Sequence, residues 1–243
     1  MRDQHFMIDK ELLQRIILAA EIKNTDIILE IGPGTGNLTE LLLEKAKYVH
    51  AIEKDKELIN KLKEKYKKKI NFILDDATKA KFPEFNKCIS NLPYTICEPL
   101  LWKFTRYTFN SLIFVVPQRF TDLLLGNIPS RLKILTDAFY EIEYKELILS
   151  KSFDPKPRGD SALIKITLKQ GNSFLKEFLS QYDKKTKNAV KEILMKKGKT
   201  KSEALENIAL KLRPSIQNKN IISLSLKEIK EVIKHFEAEK KTL

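Results

Sequence analysis

A glycine-rich turn at residues 30–36, with the sequence E-I-G-P-G-T-G, constrains the fold of this chain more than any other feature. It ends a short apolar run at residues 26–31 and precedes a helical pattern that places Leu38, Leu41 and Leu42 on one face. Glycines at alternate positions let a backbone turn sharply and approach a ligand closely. The spacing G-x-G-x-G differs from the G-x-G-x-x-G of dinucleotide sites. A strand, a glycine turn and a helix in this order predict the first βα unit of a parallel sheet.

Strand-like and helix-like segments alternate along the following sequence. Further strand-like runs stand at residues 48–53, 70–74, 87–90 and 111–116, and helical patterns at residues 9–23, 56–68, 99–107 and 132–140. Such alternation indicates βαβ units and a parallel sheet. Two later runs, residues 145–150 and 162–168, are too close for a crossover helix and are predicted to pair antiparallel. The predicted fold class is α/β, with a seven-stranded, mostly parallel sheet.

The positive charge of the chain is concentrated in its C-terminal part. The formal net charge is +13, and residues 169–243 hold 18 basic and nine acidic side chains, against 27 and 23 in residues 1–168. From residue 169 the pattern changes to lysine-rich helices with polar breaks. We therefore predict a first domain at residues 1–168 and a small, basic, helical domain at residues 169–243. Nucleic acid is the first candidate for a partner of such a surface.

Lysines of the second domain are predicted to contact phosphates. Lys184, Lys185, Lys187 and Lys191 have a spacing that places them on or near one helical face, with few acidic side chains nearby to pair with. Such a surface binds the RNA backbone without reading its sequence. The alternative is a solvated helix face with no binding role.

Several classes of protein are excluded by what the sequence lacks. It has no apolar run of about 18 residues and no apolar core of a secretory signal, so neither a membrane span nor secretion is predicted. Cys88 and Cys97 lack metal-ligand spacing, and the three histidines lie far apart, so no metal site is predicted. Two reduced thiols fit a cytoplasmic protein.

Acidic side chains end two consecutive predicted strands. Glu53 ends the second strand, where a carboxylate can accept hydrogen bonds from both hydroxyls of a ribose. Asp76 follows the third strand, where it can accept a hydrogen bond from an adenine amine. Because the carboxyl ends of parallel strands meet at one edge of a sheet, both acids are expected beside the glycine turn. Together they predict a nucleoside-binding site.

The tetrapeptide N-L-P-Y at residues 91–94 ends the fourth predicted strand. An amine on a purine ring is a poor nucleophile because its lone pair is delocalised into the ring. The side-chain carbonyl of Asn91 and the backbone carbonyl of Leu92 can accept its two hydrogens and turn the lone pair out of the ring plane. Pro93 stiffens the turn and has no competing amide hydrogen, and Tyr94 offers a face on which a base can stack.

These motifs, in this order, resemble the KsgA family of ribosomal-RNA adenine dimethyltransferases. The shared pattern is E-x-G-x-G-x-G, a strand-end Glu, Asp-Ala and N-L-P-Y. Similar segments also occur at residues 3–9 (D-Q-H-F-M-I-D), 130–132 (S-R-L), 153–161 (F-D-P-K-P-R-G-D-S) and 224–226 (L-S-L). The resemblance therefore spans almost the whole chain.

The resemblance implies a Rossmann-like class I methyltransferase domain that uses S-adenosylmethionine. It implies cofactor contacts by His5, Met7, Gly32, Gly34, Glu53, Asp76 and Asn91. It implies catalytic and base-holding roles for Asn91, Leu92, Pro93, Tyr94 and Phe153, with Tyr94 and Phe153 stacking on the adenine. The implied reaction is dimethylation of the exocyclic amine of two adjacent adenines near the 3′ end of small-subunit ribosomal RNA. The implied setting is a pre-ribosomal particle in the cytoplasm, with the protein acting as a monomer during ribosome biogenesis.

Three other functions are weighed against this one. Large-subunit rRNA methyltransferases of the resistance type share the N-x-P-Y chemistry, but Leu92 and the L-S-L segment at residues 224–226 favour the KsgA family. A non-catalytic ribosome-assembly factor of the same fold would not need Glu53, Asp76 and an intact N-L-P-Y. A DNA adenine methyltransferase would have to flip its base, and such enzymes typically carry Asp where Asn91 stands.

Overall fold

The structure is a computed structural model that describes residues 5–171 and 173–237. Parts of three segments named above lie outside these residues: Asp3 and Gln4 of the N-terminal motif, Asn172 near the predicted domain boundary, and residues 238–243 of the second domain. His5 and Met7, the two N-terminal residues with implied cofactor contacts, are described.

The chain divides into two compact units. They are residues 1–128 with 140–168, and residues 129–139 with 169–243. The division after residue 168 coincides with the predicted boundary. Residues 129–139, however, were predicted in the first domain and group with the second unit. The reason is a set of distant contacts, because the helix Arg131–Phe139 packs against the helix Phe174–Ser180, and the Arg131 guanidinium donates to the Ile222 carbonyl.

Seven strands of the first unit form one sheet, and two very short strands pair separately. The strands are β1 (Phe6–Met7), β2 (Ile27–Ile31), β3 (Tyr48–Glu53), β4 (Ile70–Leu74), β5 (Lys87–Asn91), β6 (Ser111–Pro117), β7 (Tyr140–Ile148), β8 (Phe153–Asp154) and β9 (Ser161–Leu168). The sheet order is β4-β3-β2-β5-β6-β9-β7. Strands β2 to β6 are parallel, and β9 runs antiparallel to both β6 and β7. The predicted seven-stranded, mostly parallel α/β sheet is confirmed.

The first unit contains five helices, of which the first four follow the predicted alternation. They are α1 (Lys10–Ala20), α2 (Asn37–Lys45), α3 (Lys56–Lys65), α4 (Cys97–Phe104) and α5 (Gln118–Leu125). Helix α1 begins where the Asp9 side chain accepts a hydrogen bond from the Leu12 amide at 3.0 Å, which satisfies one of the free donors of the first turn. Its apolar face, which includes Leu12 and Ile16, is buried in the core with the strand residues Ile28 and Val49. Each such side chain contributes about 1.5–3 kcal/mol by leaving water.

Four elements of this unit differ from the sequence-based expectations. Strand β7 begins at Tyr140 rather than at residue 145, because its charged, exposed edge residues hide the alternation, while the Tyr140 hydroxyl is anchored on the Leu101 carbonyl at 2.9 Å. Helix α5 was not predicted. Strands β1 and β8 were not predicted either, because two residues are too few to show a period. They pair antiparallel, with Met7 opposite Phe153.

The second unit is helical in its described residues. Its helices are α6 (Arg131–Phe139), α7 (Phe174–Ser180), α8 (Thr186–Lys196), α9 (Lys201–Lys211), α10 (Pro214–Gln217) and α11 (Leu226–Phe236). Its core contains a stack of aromatic rings, in which Phe174 lies 5.7 Å from Phe178 and 6.0 Å from Phe236 between ring centroids. Among the residues that the structure describes, no helix is long and apolar enough to cross a membrane.

Candidate active site

A cavity of about 820 Å³ opens at the carboxyl ends of β2, β3, β4 and β5. This is the edge at which ligands bind in open α/β sheets. Ten of the eleven residues singled out from the sequence line it: His5, Met7, Gly32, Gly34, Glu53, Asp76, Asn91, Leu92, Pro93 and Tyr94. The exception is Phe153. Within the described residues, no group of three His, Cys, Asp or Glu side chains could hold a metal ion.

The glycine turn adopts a backbone that other residues would strain. Gly32, Gly34 and Gly36 have φ angles of +67°, +57° and +87°. A Cβ atom on Gly34 would lie 2.9 Å from the Phe6 ring, and one on Gly36 would lie 2.6 Å from Leu62 Cδ2. The turn therefore needs glycine both for its conformation and for its close contacts. It brings backbone amides and the start of α2 to the cavity.

Glu53, the last residue of β3, holds the glycine turn in place. Its carboxylate is 6% exposed and accepts hydrogen bonds from the amides of Lys54 at 2.8 Å and Asp55 at 3.0 Å. Its second oxygen accepts a longer bond, 3.4 Å, from the amide of Gly34. The carboxylate thus lies between the glycine turn and the cavity, where it can bind hydroxyl donors.

Glu30, the first residue of the motif, is a second acid in the cavity wall. Its side chain is buried, and Oε2 accepts a 2.7 Å hydrogen bond from the Thr39 hydroxyl. Burial raises the pKa of Glu30 from 4.5 to about 8; the Thr39 hydrogen bond opposes the rise and the charge of Glu53 adds to it. Glu30 is therefore neutral at pH 7. The sequence placed this residue in the motif but assigned it no role.

Asp76 lies in the turn that follows β4. Its Oδ1 accepts hydrogen bonds from the Thr78 amide at 2.9 Å and the Thr78 hydroxyl at 2.7 Å. These two bonds lower the pKa of Asp76, so it is ionised at neutral pH. No hydrogen bond reaches its Oδ2 in the described part of the chain, which leaves that oxygen as an acceptor for a ligand.

Asn91, the last residue of β5, is oriented by the N-terminal segment. Its Nδ2 donates a 2.8 Å hydrogen bond to the His5 carbonyl, and because that carbonyl can only accept, the amide orientation follows. The side-chain oxygen of Asn91 therefore remains as an acceptor. The ring of His5 is itself held, with Nδ1 2.7 Å from the Pro155 carbonyl.

The turn after Asn91 places an aromatic ring at the cavity. Residues Tyr94–Ile96 form a 3₁₀ turn that leads into α4, and the Pro93 carbonyl accepts the Ile96 amide at 3.1 Å. The Tyr94 hydroxyl lies 2.5 Å from Ser161 Oγ, and the ring lies 5.6 Å from the ring of His5. Leu92 is buried, and its amide donates to the Val115 carbonyl of β6 at 3.1 Å.

Phe153 is not brought to the cavity. Its side chain is 1% exposed and packs in the core cluster with Met7 and Leu163. The pairing of β1 with β8 fixes it there, behind the residues that line the cavity. In this structure Phe153 is a core residue that packs against the N-terminal segment, and its stacking on a base stays a prediction.

Three residues of the site were not singled out from the sequence. Phe6 lines the cavity and contacts Gly34, and Asn37 donates to the Met7 carbonyl at 2.7 Å, which ties α2 to the N-terminal segment. Ser161 orients Tyr94. A polar residue at the start of the helix after the glycine turn was the available signal for Asn37. The contacts of Phe6 and Ser161 span distant parts of the sequence, and no local pattern indicates them.

Some basic residues of the second unit form salt bridges. Salt bridges join Lys184 to Glu192 at 2.6 Å and Lys196 to Glu177 at 2.5 Å. Helix α8 begins at Thr186, so of the four clustered lysines only Lys187 and Lys191 are helical. Of the four clustered lysines, Lys184 therefore has an acidic partner, and within the described residues the other three have no salt bridge.

Known proteins are similar to this chain along nearly its full length. The model of a family described as ribosomal RNA adenine dimethylase matches residues 2–234. A probable ribosomal RNA small subunit methyltransferase A from Thermococcus sibiricus is 34% identical over 241 residues, which cover 94% of this chain and 88% of the relative.

Solved structures of two similar proteins show the same fold. The crystal structure of a dimethyladenosine transferase from Plasmodium falciparum has a TM-score of 0.68 and 26% identity, covering 97% of this chain and 98% of that one. The 23S rRNA methyltransferase ErmE has a TM-score of 0.64 and 20% identity, covering 95% and 98%. At 20% identity the second likeness is one of fold alone.

Proposed function

The chain belongs to the ribosomal RNA adenine dimethylase family, and we propose how its cavity carries out the reaction of that family. It is an S-adenosylmethionine-dependent rRNA adenine dimethyltransferase with a Rossmann-like methyltransferase fold. The observation that carries the proposal for its mechanism is the arrangement at the end of β5, where Asn91 is fixed by His5 so that its side-chain oxygen is left to accept a hydrogen bond.

The residues of the cavity fit S-adenosylmethionine. The cavity holds about 820 Å³, and the glycine turn leaves no room for a Cβ atom at Gly34, which permits close backbone approach. Glu53 would accept hydrogen bonds from the ribose hydroxyls, and Asp76 Oδ2 from the adenine amine. His5, Met7 and Gly32 complete the wall of this cofactor site. When bound, S-adenosylmethionine supplies a methyl group on a positively charged sulfur.

The acceptor adenine is held by the N-L-P-Y turn. The side-chain oxygen of Asn91 and the backbone oxygen of Leu92 accept the two hydrogens of the exocyclic amine, which turns its lone pair out of the ring plane. Pro93 keeps this backbone rigid. The acceleration then comes mainly from orientation and from acceptors that stabilise the positive charge developing on nitrogen. The surplus proton leaves to water.

Tyr94 supplies the stacking surface for the base. Its hydroxyl lies 2.5 Å from Ser161 Oγ, and this hydrogen bond fixes the ring at the wall of the cavity. Stacking on one aromatic ring contributes about 1–3 kcal/mol. Phe153 is buried in this structure, and its stacking on the other face of the base stays a prediction.

The RNA site is proposed in finer detail from the resemblance. The targets are two adjacent adenines near the 3′ end of small-subunit ribosomal RNA, each dimethylated in a pre-ribosomal particle. The relative from Thermococcus sibiricus is named for the small subunit and supports this choice. The large-subunit alternative shares the N-x-P-Y chemistry, and the likeness to ErmE at 20% identity is one of fold alone. Action as a monomer in the cytoplasm and an RNA-contacting role for residues 169–243 belong to the same proposal.

Substitution of Asn91 tests the mechanism. Asn91→Ala removes the fixed acceptor, and we expect methyl transfer to small subunits that lack the modification to fall about 100-fold or more. Cofactor binding will change much less, and the circular dichroism spectrum will match that of the unsubstituted protein. The matched control is Asn71→Ala, which removes an exposed amide of β4 outside the cavity lining and will leave transfer unchanged. A rate for Asn91→Ala within threefold of the unsubstituted protein contradicts the mechanism.

A further inference from the structure

Lys103 is a buried cation that the proposed mechanism does not use. It lies near the end of α4 with 7% of its surface exposed. Its Nζ donates to the carbonyl of Ala77 at 2.6 Å and to the carbonyl of Ala80. It also lies 4.0 Å from the centroid of the Phe82 ring, where the ring face attracts a cation.

Both carbonyls belong to the turn that carries Asp76. The amides of Lys79 and Ala80 each donate to the Asp76 carbonyl at 2.8 Å, so residues 76–80 form one closed turn. Lys103 Nζ binds the same turn by donating hydrogen bonds to the carbonyls of Ala77 and Ala80. Asp76 and Ala77 of this turn line the cavity.

The other end of α4 meets the N-L-P-Y turn. The helix begins at Cys97, directly after the 3₁₀ turn Tyr94–Ile96, and Cys97 Sγ lies 3.6 Å from the Pro93 carbonyl. Because α4 has only eight residues, one short helix joins the turn proposed to hold the acceptor base to the turn that carries Asp76. Near the other end of this helix, Lys103 contacts the Asp76 turn.

A charged group in this place needs an explanation beyond packing. Burial lowers the pKa of Lys103, while the charges of Asp75 and Asp76 raise it. An apolar side chain of similar length would fill the space without the desolvation cost of an ammonium group. What it could not do is donate to two converging carbonyls.

We propose that Lys103 is a positioning residue that holds Asp76 where it accepts a hydrogen bond from the adenine amine of the cofactor, and that it couples this turn through α4 to the N-L-P-Y turn. The proposal rests on the cofactor role assigned to Asp76 above. Lys103 itself does not line the cavity, so its effect on the cofactor is exerted through Asp76.

A double-substitution cycle tests the proposal. The affinity for S-adenosylhomocysteine is measured by calorimetry for the unsubstituted protein, Lys103→Met, Asp76→Ala and the double variant. We expect each single substitution to weaken binding about tenfold, the loss of one hydrogen bond to a charged group. The double variant will bind no more weakly than Asp76→Ala, because Lys103 acts only through Asp76.

The matched control is the other buried lysine, Lys87, which is also 7% exposed. Its Nζ donates to the carbonyls of Ala20 at 3.0 Å and Glu21 at 2.6 Å and pairs with Asp26, all at the edge of the sheet opposite the cavity. Lys87→Met will lower the unfolding temperature and leave the affinity for S-adenosylhomocysteine unchanged. This separates a positioning role from a general loss of stability.

A ligand that lacks the amine gives a second readout. S-inosylhomocysteine carries an oxygen in place of the adenine amine, so it cannot donate that hydrogen bond to Asp76. We therefore expect Lys103→Met to bind it as tightly as the unsubstituted protein does. If Lys103→Met does not fold, Lys103→Gln, which keeps a shorter donor, is carried through the same cycle with a smaller expected loss.

The outcomes separate the two claims. Equal affinities for Asp76→Ala and the unsubstituted protein overturn the cofactor role of Asp76 and the proposal that rests on it. In the second case, Asp76→Ala binds more weakly, and the double variant shows the full loss of Lys103→Met in addition. This result leaves the role of Asp76 intact and overturns the positioning role of Lys103.

Discussion

At the scale of single residues, the site contains a carboxyl group that folding keeps neutral. Glu30 is buried beside Thr39 and close to the charge of Glu53, and its pKa rises to about 8. A neutral carboxyl group can remain in the wall of the cavity without the cost of burying a second charge. The consequence is a stability that depends on pH.

The sign of that dependence follows from the direction of the pKa shift. Between pH 4.5, where Glu30 ionises in the unfolded chain, and about pH 8, the folded protein binds one proton more than the unfolded chain. This group therefore lowers stability as pH rises through that window, by at most about 1.4 kcal/mol per pH unit, and adds no further change above it.

Glu30→Gln removes the titration while keeping the shape and an acceptor for Thr39. We expect the free energy of unfolding of Glu30→Gln, relative to that of the unsubstituted protein, to rise between pH 5 and pH 8 and then level off. Denaturant titrations at several pH values measure this difference. If the two stability curves run parallel across the window, Glu30 is not neutral in the folded protein.

At the scale of elements, the turn between β2 and α2 determines where β2 ends and where α2 begins. Three glycines with positive φ stop the strand and start the helix within five residues, and Gly36 is the N-cap of α2. The turn also touches elements from elsewhere in the chain, since Gly34 meets the ring of Phe6 and Gly36 meets Leu62. A side chain here would disturb the N-terminal segment as well as the turn.

Gly34→Ala is expected to weaken both stability and cofactor binding. Alanine at a φ of +57° costs about 1–2 kcal/mol, and its Cβ would displace Phe6 from the cavity wall. Thermal unfolding and calorimetry with S-adenosylhomocysteine measure the two losses. The matched control is Gly159→Ala, because a Cβ there meets nothing within 4 Å and its φ is ordinary. Equal unfolding temperatures for the two variants would contradict the strain at Gly34.

At the scale of the whole molecule, charge is distributed unevenly between the two units. The first unit contains the entire lining of the cavity, whereas the sequence of residues 169–243 holds 18 basic side chains against nine acidic ones. Some of these cations are neutralised by partners, as Lys184 is by Glu192. Lys185, Lys187 and Lys191 have no salt bridge within the described residues, and they are the stronger candidates for contacts with RNA phosphates.

Substitution of Lys185, Lys187 and Lys191 by Gln is expected to weaken binding to ribosomal small subunits and to flatten its dependence on salt. The slope of log affinity against log salt is negative. For each phosphate that a lysine no longer neutralises, its magnitude decreases by about 0.7–0.9, because fewer counterions are released. Filter binding at several salt concentrations measures the slope. Affinity for S-adenosylhomocysteine will not change, since the cavity lies in the first unit.

A control with the same change of charge accompanies this test. Gln in place of Lys65, Lys145 and Lys165, each of which forms a salt bridge in the first unit, also removes three positive charges. We expect a smaller change of slope for this variant. Identical slopes for the two triple variants would show that Lys185, Lys187 and Lys191 do not contact RNA.

The sequence by itself determined the sheet, the family and most of the site. Strand periodicity and the glycine turn are local signals, and because parallel strands all end at one edge, Glu53, Asp76 and Asn91 had to converge there. Ten predicted residues therefore line one cavity. The N-L-P-Y tetrapeptide is equally local, since its chemistry depends on neighbouring residues of one turn.

Only the tertiary structure decided the features that depend on contacts between distant residues. It buried Phe153 through the pairing of β8 with β1, placed residues 129–139 in the second unit and paired Lys184 with Glu192. It also made Glu30 neutral and set Lys103 beneath the Asp76 turn. The physical reason is the same in each case: burial, ionisation and pairing depend on what surrounds a side chain in space, and the sequence records only its neighbours along the chain.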